Sequence, residues 1–124
     1  MIDFENKKVI KHRKGKEKHI PKEIYDLLIP DEQIIGYYNS VRDFVIFTNK
    51  RIIACNVQGV LGSKQDFTSI PYAKIQAFSV ETAGTFDMDS ELTLSLSGLG
   101  NVKFAFSSNS DIRQIGQTIA SYIL

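Results

Sequence analysis

The sequence predicts a mainly β domain with a minor α component: an antiparallel barrel or sandwich of about seven short strands, opened by a short N-terminal helix and capped by a C-terminal one. Three observations carry this. From residue 34 onward apolar residues recur with period two, as in half-buried strands. Near the C-terminus the spacing changes to helical. No strand–helix–strand alternation occurs between, which argues against a doubly wound parallel sheet. The 124 residues suit one compact body, since domains usually run to ~100–150 residues. With 43% hydrophobic and 23% charged residues the chain is far from a disordered composition.

Residues 1–19 form a basic arm with no sustained apolar stripe, in which Val9 and Ile10 suit a short edge strand and Gly15 weakens any helix. The body begins at residue 20. Pro21 suits a first helical position, Ile20, Ile24, Leu27 and Leu28 share one face, and Pro30 stops the helix. Strands are predicted at 34–41 and 44–48, joined tightly through Arg42 and Asp43, and at 51–57 after a two-residue turn at Asn49 and Lys50. A glycine-containing loop at 58–64 leads to a strand at 66–70, which Pro71 breaks. A strand at 75–83 follows. Leu92, Leu94 and Leu96 alternate with polar residues, and after the turn at 97–101 Val102, Phe104 and Phe106 make another one-faced strand. Asp111, with Gln114 three residues on, matches a capping box; Ile112, Ile115, Ile119, Tyr122 and Ile123 then line one helix face.

The single cysteine, Cys55, excludes an internal disulfide framework and any multi-cysteine metal cage, and suits a reducing compartment. No apolar run approaches the ~18 residues of a membrane span, and the charged N-terminus has no signal-peptide core, so a soluble cytoplasmic protein is expected. The net charge of +1 hides an asymmetry: residues 1–22 carry eight basic and three acidic residues, the remainder seven and eleven. A basic arm on an acidic body points to charge complementarity between chains or to polyanion attachment.

Several segments together resemble the bacterial pleckstrin-homology (PH) domain family: FTNKRII at 47–53, SIPYAK at 69–74, FSVETAGTFDM at 78–88 with Asp89, Glu91 and Leu92 after it, and the closing ASYIL at 120–124. The resemblance covers residues 22–124. It implies a PH-like, partly open barrel of two nearly orthogonal sheets with a C-terminal helix, and assembly into ring-shaped homo-oligomers, often pentamers. The phosphoinositide site of eukaryotic PH domains does not carry over, because the first strand connection is tight and offers only Arg42.

No catalytic, cofactor-binding or metal-binding set is read from the chain. His12 and His19 lie in the arm, where solvated or salt-responsive roles are expected, and Cys55 falls at a strand position suited to a small buried hydrophobe. Asp87, Asp89 and Glu91 offer alternate carboxylates but lack the glycine and distant glutamate of a calcium loop; they read as an acidic turn or an oligomer contact. The segment 59–64 is too short for a phosphate-binding loop. Lys7, Lys8, Lys11, Arg13, Lys14, Lys16 and Lys18 are candidates for binding a polyanion such as a membrane surface, for docking on a neighbouring subunit, or for a solvated tail. Nucleic acid is disfavoured because no aromatic is interleaved to stack bases. Tyr37, Tyr38 and Tyr72 suit either a protein interface or burial in the core or rim. The reading that follows is a non-catalytic scaffold acting through homo-oligomerisation and protein binding, with lipid or polyanion binding by the arm as the alternative.

Overall fold

The computed structural model describes residues 1–4, 11–59, 61–86, 88–107 and 110–124, with Lys11 described by its backbone alone. Among the described residues eight strands and two helices follow in the order β1 (Lys11–Lys14), α1 (Lys22–Leu27), β2 (Ile34–Asn39), β3 (Phe44–Thr48), β4 (Arg51–Gln58), β5 (Lys64–Pro71), β6 (Ile75–Glu81), β7 (Ser90–Leu96), β8 (Gly100–Phe106) and α2 (Ile112–Ile123). Short 3-10 turns precede α1 and join β5 to β6.

The strands form one curled sheet in the order β5-β4-β3-β2-β1-β8-β7-β6. The seven anticipated strands are all present, and the eighth, β1, was not anticipated. Its sequence, KHRK, has no apolar alternation; its position comes from the backbones on either side. Arg13 and Lys14 pair with Asn39 and Tyr38, while Lys11 and His12 pair with Ala105 and Phe106. That second junction is parallel, so the sheet is not wholly antiparallel. The edge strand expected at Val9 and Ile10 lies outside the described residues.

Alternation puts Val45, Phe47, Leu92, Leu94, Val102, Phe104 and Phe106 inside the curl, and Ile112, Ile115 and Ile119 of α2 close it. The Asp111 carboxylate caps α2 by accepting from the Arg113 and Gln114 amides at 3.1 and 3.3 Å. A second core lies on the outer face, where Ile20 and Ile24 cover Tyr37, Phe44, Ile46, Ile53 and Cys55. The expected single core is therefore two, and β3 is buried on both faces, which is why Phe44 to Phe47 form an unbroken apolar run. α1 has only six residues, too few to hold a helix alone, and exists through this contact.

The first residues belong to the body. Ile2 is buried in the inner core, its amide donates to Thr68 Oγ1 at 3.0 Å, and Phe4 packs edge-on against Phe104. The Met1 amino group lies 2.8 Å from Asp66, and this bond together with the Thr68 hydroxyl holds the Asp66 carboxyl below its ordinary range. No helix among the described residues is long and apolar enough to cross a membrane.

Candidate interaction site

The most densely bonded polar cluster joins the α1–β2 loop to the β3–β4 turn. Asp31 takes a left-handed φ of 67°, and the next residue, Glu32, turns its carboxylate inward to full burial. Arg51 donates to both carboxylate oxygens at 2.9 Å, Thr48 donates at 2.7 Å and the Ile29 amide at 3.1 Å. Burial pushes the Glu32 carboxyl up, but these donors outweigh it and hold it below the usual value. Arg51 also donates to Leu27 O and Ser69 Oγ, and the Tyr72 hydroxyl donates to Thr48 O at 2.7 Å. Burial, with Tyr122 and Glu32 nearby, raises the Tyr72 phenol far above its ordinary value. Tyr122 stacks on Tyr72 with ring centres 5.4 Å apart. Three of the segments that carry the family resemblance thus meet here, and their bonds staple these parts of the fold together.

The first strand connection is also closed. Ser40 and Asp43 bond across it, Asp43 is buried and accepts from the Val57 amide at 3.0 Å, and Arg42 donates to Gly59 O. The sole basic residue of this turn is tied to the neighbouring loop.

Tyr37, Tyr38 and Tyr72 are buried at 8, 7 and 2% exposure within their own chain, so they form no exposed aromatic surface. Tyr38 packs between Phe47 and Phe106. His12, expected in solvent, is buried against Phe106 because its strand position points into the inner core. Cys55 is buried in the outer core, on the opposite side of the sheet, so the two do not make a nucleophile and base. His19 is exposed. Glu91 meets Lys103 at 3.3 Å across the β7–β8 ladder, and Asp89 is half-buried beside β7; Asp87 lies outside the described residues. Arg13, Lys14, Lys16 and Lys18 are exposed, whereas Lys7 and Lys8 lie outside the described residues.

One concave feature among the described residues is a cleft of about 240 Å³ between β2 and α2. Its origin is local. β1 ends at Lys14, and after the Gly15 amide donates to Tyr37 O at 2.8 Å the chain turns away toward α1. Among the described residues no strand pairs with that side of β2 from Ile34 to Gly36, where a bulge already shifts the register. Tyr38, Phe47 and Ile115 form an apolar floor, Gln114 and Thr118 of α2 a polar wall, and Lys14 stands at the mouth. Gly15 is required here: a Cβ would lie 2.5 Å from the Tyr37 ring. The sequence pointed to none of Ile35, Gln114 and Thr118; the break in alternation at Ile34-Ile35 was the available signal. A second cavity, of about 250 Å³, lies between β5 and the β7–β8 turn.

A curled, mostly antiparallel sheet closed by a C-terminal helix is what the PH resemblance implies, and the model of the bacterial PH domain matches residues 3–123. The chain belongs to the bacterial PH domain family. It is similar to the uncharacterized protein YjqA of Bacillus subtilis (strain 168), with 40% identity over 104 residues covering 82% of this chain and 83% of that one. Among solved structures it is similar to a DUF1696 family protein with a pleckstrin-homology domain from Shewanella loihica PV-4, with TM-score 0.81, 37% identity, and 92 and 98% of the two chains covered. A pleckstrin homology domain from Shewanella amazonensis SB2B matches with TM-score 0.65 and 44% identity over 82 and 83%. The PH match begins at residue 3, so it takes in the basic segment as well as the body.

Proposed function

We propose that this PH domain is a non-catalytic cytoplasmic scaffold that binds copies of itself, in a ring of about five as the family resemblance implies, and through the assembly a protein partner. The observation that carries this reading is that the sheet does not close. Among the described residues β5 and β6 end it, each paired on one side, and the first half of β2 pairs only with β3 beside the cleft. Such edges present unpaired backbone groups to another chain. Size-exclusion chromatography with light scattering tests it: a mass several times that of one chain is expected, and a monomer at micromolar concentration overturns it.

A second reading is supported by the exposure of Arg13, Lys14, Lys16 and Lys18 along one short segment. Near an anionic bilayer each contributes ~1 kcal/mol, and the attraction weakens with salt. Removing the segment would remove β1, so the test is charge reversal of these four residues in the full chain. Sedimentation with phosphatidylserine vesicles at low salt is expected to fall in the variant; equal sedimentation of both proteins overturns this reading.

A further inference from the structure

We infer that the cavity between β5 and the β7–β8 turn binds a small monoanionic amphiphile, a singly charged head on a hydrocarbon tail of about six to eight carbons. The inference is independent of self-association and of the basic segment at residues 11–18.

The cavity lies where the curled sheet stays open. β5 is one edge of the sheet, and the β7–β8 turn belongs to its other half. Among the described residues no backbone ladder joins the two. Ile70 from β5, Leu96 from the end of β7 and Leu99 from the turn line the gap with hydrocarbon. Leu99 stands between Gly98 and Gly100, whose φ values of 81° and 82° are open to glycine and strained for other residues. That turn folds Leu99 back against the inner core. Met1, 83% exposed, adds an unbranched thioether that adjusts to the shape of a ligand.

One charged side chain, Lys74, lines the cavity. It is exposed at the end of the 3-10 turn that follows Pro71, and among the described residues it has no acidic partner. No carboxylate lines the cavity. Of the acids bonded to its surroundings, Asp66 is engaged by the Met1 amino group at 2.8 Å and Glu32 by Arg51 at 2.9 Å. Exposed Ser97 adds a hydroxyl that can donate to the same head. An apolar pocket with one uncompensated cation favours a ligand with a tail and a single negative charge. A neutral hydrocarbon leaves the ammonium without a counter-charge, and a polyanion meets one cation with several charges. The β2–α2 cleft lacks this bias, because Lys14 and Glu17 both line it. Size agrees: a cavity of ~150 Å³ in another protein holds benzene, so about 250 Å³ takes a somewhat longer tail.

The test is calorimetric titration of the full chain with octanoate below its micellar range, with its neutral isostere octanamide, and with butyrate. Octanoate is expected to bind saturably and one to one, and the other two several-fold more weakly. Lys74→Gln should weaken octanoate binding about five-fold, as loss of one exposed ion pair does, and leave octanamide unchanged. Ser97→Trp fills the cavity from an exposed position and should abolish binding of both. Amide chemical-shift mapping on the wild type, which depends on no variant folding, should place the largest octanoate-induced changes within residues 69–74 and 96–99. Absence of saturable octanoate binding, shifts centred elsewhere, or full binding by a folded Ser97→Trp overturns the site. Octanamide binding as tightly as octanoate, or octanoate binding unchanged in Lys74→Gln, overturns the anionic class of ligand.

Discussion

At the scale of single residues, the clearest energetic commitment is Glu32. A buried carboxylate is tolerated only when paired, and here Arg51, Thr48 and a backbone amide pair it. Glu32→Gln is expected to lower stability at neutral pH by about 2 kcal/mol, less than for a fully buried pair because Arg51 keeps its bonds to Leu27 and Ser69. The folded carboxyl lies below its unfolded value of 4.5, so its stabilisation is complete above that pH and fades as pH falls through the folded value. Urea titrations of wild type and variant should therefore show a constant gap from neutral pH down to 4.5 and a narrowing gap below it. Gly15 is the second such residue. Alanine there meets the buried Tyr37 ring, and Gly15→Ala should destabilise by about 1–3 kcal/mol through overpacking, read as a lower melting temperature.

At the scale of elements, each strand and helix is stable through what it covers. α1 is the extreme case: one turn and a half of helix, anchored by the completely buried Ile24. Ile24→Ala should cost about 3 kcal/mol and increase hydrogen exchange first in α1 and the outer face of β3. Equal protection of those amides in the variant would mean that the outer core does not depend on α1. The alternations at 92–96 and 102–106 were legible because each strand has one wet face, and Leu92, Leu94 and Phe104 are buried as their pattern requires. The strand KHRK was not legible. Its backbone bonds to two neighbours, and its mostly charged side chains carry no periodic signal of that.

At the scale of the whole molecule, the basic segment changes meaning. As a sequence it reads as an arm; folded, it contributes Ile2 to the inner core and β1 to the join between the two halves of the sheet. Ile2→Ala should accordingly lower stability by about 2 kcal/mol, near the lower limit for a buried isoleucine. A melting temperature unchanged within error would return residues 1–4 to the status of a tail. The cleft belongs to this scale too, since its walls come from residues eighty positions apart, roughly the separation of Ile35 and Ile115, and its mouth from a third segment.

The sequence alone determined the fold class, the strand count but one, the capped terminal helix and the tight first turn, because periodicity, capping and turn chemistry are local properties of neighbouring side chains. Only the tertiary structure decided that three tyrosines and His12 are buried, that the segments carrying the family resemblance bond to one another, and that an opening lies between β2 and α2. Those depend on which distant surfaces come together, and no residue's own chemistry says what will pack against it.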